Sequence, residues 1–162
     1  VSAPDVDPAL FRQLLGRFAT GVTVLTTRDQ DGNPVGMTAS SLAAVSLNPP
    51  LLSVCVDFTA DMHRALSASG TFVINVLAAD QEEVSRRFAE VAPEERFRGV
   101  AWHETADGLV LLGGALAHIE CERYADFPLG DHTLFVGRVT GGTVGEGEPL
   151  LYYRGGYGGF NR

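Results

Sequence analysis

A mainly β fold, a closed or split barrel carrying a few short helices, is what this sequence predicts. Three observations carry that expectation. About seven segments rich in β-branched and apolar residues follow one another, and most are joined by short turns of hairpin type. Glycine and proline, 19 and 8 of 162 residues, make up about 17% of the chain against a usual ~12%, which favours many turns over long helices. The strand-like segments do not alternate regularly with helical ones, so a doubly wound parallel sheet is not expected.

The elements follow in order. Residues 1–6 form a loose leader to a single domain spanning 1–162. Asp7 and Pro8 suit the N-cap and first position of a helix, because the carboxylate accepts from free N–H groups and proline has none to satisfy. Leu10, Phe11, Leu14, Leu15 and Phe18 repeat at helical spacing and form one apolar face, with Gly21 ending the pattern. Residues 22–27 are rich in β-branched side chains and read as a strand. A turn at 29–33, in which Asp31-Gly32 tolerates positive φ, leads to a second strand at 35–39. Strands are expected at 42–47 and 51–56, separated by prolines that cannot donate ladder hydrogen bonds and so belong at an edge or corner. A helix at 61–69 stops at Gly70, and a strand follows at 71–77. A helix at 81–89 takes Asp80 as its cap and Glu82 and Glu83 in its first turn, where the dipole favours negative charge. Residues 91–99 read as a surface excursion. Residues 109–122 and 132–144 are long strand-like segments broken by glycines, and the tail 152–162 has no period.

Composition narrows the function classes. With 45% hydrophobic residues and a length at which folding buries roughly 70% of the unfolded surface, the chain can build a real core. Twenty acidic against twelve basic residues give a net charge of −8, the wrong sign for general binding to nucleic acid or to an anionic membrane. All twelve basic residues are arginine. The absence of lysine excludes a Schiff-base lysine, a Walker-type phosphate lysine and a Ser-x-x-Lys nucleophile. Cys55 and Cys121 lie in apolar runs without zinc spacing and read as reduced, half-buried structural thiols. No signal peptide is visible, and no apolar run approaches the ~20 residues of a membrane helix. A cytoplasmic protein is the expectation.

Four places could carry chemistry. Met37, Thr38, Ala39, Ser40 and Ser41 leave a strand as small and hydroxylated residues, a surface suited to a neutral, planar or polyol ligand, unless it is merely a turn. Thr59, Asp61 and Arg64 sit at a helix start, where free N–H groups suit a phosphate. Asp61 argues the other way, because its carboxylate competes as the cap. Arg86 and Phe88 lie on the next helix. Arg86 and Arg87 cannot share one direction, so at most one of them reaches a ligand. His132 follows Asp131 at the mouth of a strand, where the carboxylate fixes the ring's tautomer and leaves it able to donate to a substrate carbonyl or supply a proton. Tyr157, in the glycine-rich tail, either stacks on a ligand ring or frays with the terminus. His63, His103 and His118 have no comparable setting, and no metal site is expected.

Taken together, residues 18–24 (FATGVTV), 36–41 (GMTASS), 45–50 (VSLNPP), 72–77 (FVINVL), Gly130-Asp131-His132 and 136–139 (VGRV) resemble the flavin reductase-like family, the small reductase components of two-component flavin monooxygenases. The resemblance spans about residues 10–157. It implies a split β-barrel of the FMN-binding type, a homodimer, FMN or FAD as cofactor, NADH or NADPH as co-substrate and a separate oxygenase component. It places Thr38 to Ser41 along the flavin ring and ribityl chain, Thr59 to Arg64 near the phosphate, and His132 facing the nicotinamide. Asp61-Met62 stand where small hydroxylated residues are more usual, which leaves FMN against FAD open. A flavin-binding module without turnover and a flavin-dependent ferric or corrinoid reductase are the alternatives. A pyridoxamine-phosphate-oxidase-like protein is disfavoured by the missing lysine and by the neutral loop.

Overall fold

The structure is a computed structural model that describes residues 3–161; the first two residues of the expected leader and the last residue of the tail lie outside them. Three helices, α1 (Pro8–Leu15), α2 (Asp61–Ala68) and α3 (Glu82–Glu90), punctuate twelve strands. These are β1 (Thr20–Gly21), β2 (Thr23–Arg28), β3 (Pro34–Ala39), β4 (Ala43–Leu47), β5 (Pro50–Asp57), β6 (Thr71–Val76), β7 (Trp102–Glu104), β8 (Val110–Leu112), β9 (Ala117–Leu129), β10 (His132–Val144), β11 (Leu151–Tyr153) and β12 (Gly156–Gly158). Seven strands form one antiparallel sheet in the order β3-β2-β6-β9-β10-β5-β4. Its two outer strands are consecutive in the chain, and residues 40–42 join them across the seam of a split barrel.

Both faces of β2 are covered, which explains a strand buried at every position from Thr23 to Thr27. Successive side chains point to opposite faces. Leu25 joins the barrel interior with Val54, Phe72, Ile74 and Phe135, while Val24 joins a second cluster with Leu77, Phe88, Leu112 and Leu150 under α3. Asn75 links the layers. Fully buried on β6, it donates to the Val24 carbonyl at 2.9 Å and to the Thr26 hydroxyl at 3.0 Å, and accepts from Leu112 N–H at 2.9 Å. A buried amide with its groups paired fixes register where an orphaned one would cost stability.

The helix ends correct several expectations. Asp7 caps α1 through Ala9 N–H at 2.6 Å, but the helix stops at Leu15 and does not carry Phe18 on its face. Ala60, not Asp61, stands at the N-cap of α2, and Ser69 closes it in an extended conformation, so Gly70 is no left-handed stop. Gln81 takes the cap position expected for Asp80, its side chain accepting from Ala78 N–H and donating to the Gly113 carbonyl. Residues 91–99 are not simply a surface excursion: Phe97 packs edge-on against Phe88 at 5.0 Å, and Arg96 donates to the Gly36 carbonyl at 2.8 Å. The segment expected at 109–122 divides into β8 and the start of β9, which runs on to Leu129. The tail also folds, pairing β11 with both β1 and β12.

Candidate functional site

Three hydroxyls, one near the end of β3 and two on its connection to β4, have different duties. Thr38 donates to the Ser85 carbonyl at 2.6 Å and ties β3 to α3. Ser41 accepts from Cys55 N–H at 3.0 Å and donates to the Cys55 carbonyl at 3.2 Å, closing the barrel seam onto β5. Ser40 is exposed and its hydroxyl has no partner among the described residues. Met37 is half-buried against the barrel core and Ala39 lies within it. The predicted ligand surface is therefore built chiefly from backbone and from Ser40. Gly36 allows the close approach beneath it, since a Cβ there would sit 2.4 Å from the Phe88 ring.

Ser40 borders two grooves. The first, about 330 Å³, is lined by Thr38, Ala39, Ser85, Arg86 and Tyr157. Here the tail supplies a wall: the Tyr157 hydroxyl lies 2.8 Å from Ser85 Oγ, and the Arg86 guanidinium stacks over the Tyr157 ring at 4.8 Å. Arg86 donates to the Glu82 carboxylate at 2.8 Å, which raises the guanidinium's pKa further, so this cation is permanent. Arg87 turns away to the carbonyls of Glu95 and Arg96, as adjacent helical positions require. The second groove, about 940 Å³, runs from Ser40 and Ser41 to the apolar side chains of α1 and to Tyr152 and Arg154.

The segment expected near a phosphate offers little to one. The Thr59 hydroxyl is taken by Asp57 Oδ1 at 2.6 Å, and Met62 is fully buried. Asp61 pairs with Arg64 at 3.6 Å on the wall of a third groove, about 600 Å³, which adjoins Gly36. Phe88 is likewise fully buried, and its side chain is core under Gly36 rather than a ligand contact.

His132 stands apart from these grooves in the chain but close to the seam. It is paired in register with Asp57 on β5, two residues along from the Cys55 that holds Ser41, a step of ~7 Å. Its Nδ1 lies 2.6 Å from Asp131 Oδ1, so Nδ1 carries the hydrogen and Nε2 is the free atom. Asp57 accepts from both the side chain and the amide of Thr59, which hold its carboxyl below the usual range and keep it ionised. Asp57, Asp131 and His132 bring their ligand atoms within 4.8 Å of one another. His63 is occupied by Thr133 at 2.8 Å and by the rings of Phe58 and Phe135. His118 Nε2 donates to the Leu112 carbonyl at 2.7 Å.

Sequence reasoning missed one cluster. Arg12, Arg17 and Arg154 line a further pocket of about 370 Å³ between the end of α1 and the β11–β12 turn. None of the three is in an ion pair among the described residues. Arg154 has φ +52°, held by its N–H to the Gly16 carbonyl at 3.1 Å. The three are 142 positions apart at their extremes, and only the folding of the tail against α1 gathers them.

Residues 15–161 match the family described as flavin reductase like domain. The chain belongs to the flavin reductase-like family. The reductase subunit of a flavin-dependent monooxygenase from Rhodococcus jostii is 44% identical over 97% of this chain and 80% of that protein. An NADH-dependent flavin reductase from a Rhodococcus species is 45% identical over 95% of this chain and 87% of that protein. Among solved structures, an NADH:FAD oxidoreductase of Streptomyces globisporus, in complex with NAD and FAD fragments, superimposes with a TM-score of 0.90 at 40% identity, covering 98% of each chain. For a member of this family the donor set beside Ser40 fits a flavin ring. A free hydroxyl, uncharged backbone and an aromatic wall match a neutral planar heterocycle, and no lysine or nucleophile is needed when the cofactors carry the electron chemistry. Among the described residues no helix is long and apolar enough to cross a membrane.

Proposed function

We propose that this protein is an NAD(P)H:flavin oxidoreductase that takes hydride from a reduced nicotinamide onto FMN or FAD and supplies reduced flavin to a separate monooxygenase. The observation that carries this reading is the free Ser40 hydroxyl between two grooves, just past the uncharged strand β3, in a chain that matches the flavin reductase-like family over residues 15–161. Flavin and nicotinamide supply the hydride transfer itself. The chain's contribution is to hold two rings face to face, so that a bimolecular step becomes an oriented one. Ser40 and the backbone of Thr38–Ala39 hold the flavin ring, Tyr157 and Arg86 wall its groove, and His132 Nε2 faces the nicotinamide. The apolar lining from α1 is completed by a second copy of the chain, which makes the working unit a homodimer.

Steady-state oxidation of NADH and of NADPH in air, with and without riboflavin, FMN and FAD, tests the reading. Added flavin is expected to stimulate oxidation of at least one nucleotide. If no flavin stimulates either, the reductase reading is lost.

A further inference from the structure

The arginine pocket has no part in the flavin reading. Within the described residues every arginine donates a hydrogen bond or sits in an ion pair, except Arg12, Arg17 and Arg154, the three that converge there. No carboxylate lines the pocket, in a chain with twenty acidic residues against twelve basic. Like charges gathered without a counterion repel one another, and an anion between them relieves the repulsion. The pocket opens into the groove of about 940 Å³, sharing Arg12, Gly16, Arg154 and Gly155 with it, and that lining holds no carboxylate either. The walls of the groove are largely apolar, with Phe11, Leu15, Phe18, Leu42 and Val76 among them. Thr20 lines it too, and Thr20 Oγ1 is buried without a hydrogen-bond partner among the described residues. A buried hydroxyl unpaired within its own chain is one that a ligand can satisfy. Leu10 and Leu14 lie off this lining, so a second copy can cover the outer side of α1 without filling the groove.

We propose that this groove is a second ligand site, which takes a hydroxylated aromatic carboxylic acid and is linked to the flavin groove; the linkage, but not the site, rests on the flavin ring lying at Ser40. A planar carboxylate matches the guanidinium fork and accepts from more than one arginine. An apolar cavity with a few convergent polar groups is the usual form of a small-molecule site. Thr20 pairs in register with Tyr152, two residues before Arg154, a step of ~7 Å that an aromatic ring spans. The carboxylate therefore lies among the guanidiniums, the ring against Phe11 and Leu15, and the ring hydroxyl at Thr20 Oγ1. The linkage follows from a shared wall. Tyr152 and Ser40 line both this groove and the one assigned to the flavin, and the Tyr152 ring packs at 5.3 Å against Tyr157, its cross-strand partner. Arg154 belongs to the same hairpin, so an acid that holds Arg154 orders the strand pair whose Tyr157 walls the flavin. Each ligand then favours the other by the same factor.

Calorimetric titration of the full chain with 6-hydroxy-2-naphthoate, 2-naphthoate and the neutral 2-naphthalenemethanol reads the site without turnover. The hydroxylated acid is expected to bind about fivefold tighter than 2-naphthoate, the worth of one hydrogen bond, and the alcohol roughly tenfold more weakly than 2-naphthoate. Arg154→Gly suits the φ of +52° at that position and removes only the guanidinium, so it should weaken both acids roughly tenfold. Thr20→Val should abolish the difference between the two acids. Riboflavin should bind about fivefold tighter when the hydroxylated acid is saturating. No binding of either acid at millimolar concentration would overturn the site, as would acid and alcohol binding alike, or Arg154→Gly leaving acid binding unchanged. Displacement of the acid by NAD+, with Arg154→Gly weakening both equally, would overturn it by giving the pocket to the dinucleotide. Acid binding that leaves riboflavin affinity unchanged would overturn the linkage. A chain that binds the acid and no riboflavin would remove the flavin reading and the linkage with it, while the acid site stands.

Discussion

The Ser41 hydroxyl bridges the amide and carbonyl of Cys55, whereas the Ser40 hydroxyl, one residue earlier, is free at the border of two grooves. Adjacent residues of one chemistry should therefore respond differently to the same substitution. Ser40→Ala is expected to weaken flavin binding by roughly 0.5–1.5 kcal/mol with no change in thermal unfolding. Ser41→Ala should instead lower stability by about 1 kcal/mol, ~2–4 °C in Tm for a chain of this size. Calorimetric melting beside flavin titration separates the two, and identical behaviour of both variants would mean that the seam bond is not what Ser41 contributes. His132 presents Nε2 because Asp131 holds Nδ1. Its removal should leave flavin affinity within a factor of a few and lower kcat/KM for NADH roughly fivefold, the worth of about one hydrogen bond. Misalignment of the hydride donor could deepen the loss to about a hundredfold. Stopped-flow reduction of bound flavin checks it: an unchanged rate in His132→Ala would leave this residue a loop histidine.

Elements with a period were legible in the sequence, and elements that exist only through partners were not. The bounds 132–144 hold because β10 alternates against two flanking strands. The tail shows no period in sequence because Gly155-Gly156 and Gly158-Gly159 interrupt any alternation. Its two short strands survive by pairing with β1 and by the Tyr157–Ser85 bond, neither of which is visible locally. The same holds for the site: the hydroxyl strand and His132 stood out by residue type, while the arginine pocket needed residues 12, 17 and 154 to meet in space. Phe88 is core and not a ligand contact because Gly36 leaves room for its ring, a pairing that residues 86–88 alone do not reveal. The C-terminal hairpin should consequently be the most conditional element. Tyr157→Phe keeps the ring under Arg86 and loses one hydroxyl pair, costing about 1 kcal/mol. Tyr157→Ala removes the ring as well, and hydrogen exchange at residues 151–158 should then approach that of a free segment. Protection that survives in Tyr157→Ala would show that the β1 pairing alone holds the hairpin.

At the scale of the whole molecule the notable surface is α1. None of its residues is buried, and Leu10, Phe11, Leu14 and Leu15 are each 45–56% exposed, with Phe18 beyond them at 74%. A helix with one apolar face normally turns that face to a core, and contiguous apolar surface of this kind marks an interaction site. Val45 and Leu47 on the edge strand β4 are further exposed apolar side chains, the latter 92% exposed. Phe11, Leu15 and Phe18 also form one wall of the large groove that begins at Ser40 and Ser41. A second copy seated on α1 would therefore cover the apolar face and complete the groove in one step, coupling assembly to flavin binding. The interface should bury well over ~1,000 Å² in total, the level at which a stable contact is credible. Light scattering at micromolar concentration is expected to give twice the 17.3 kDa chain mass. Leu14→Glu should yield monomer that keeps its far-ultraviolet circular dichroism and loses flavin affinity at least tenfold, because the barrel does not depend on α1 while the groove does. A monomeric parent with full flavin affinity would contradict the dimer. A monomeric Leu14→Glu that still binds flavin like the parent would keep the dimer but uncouple it from the site.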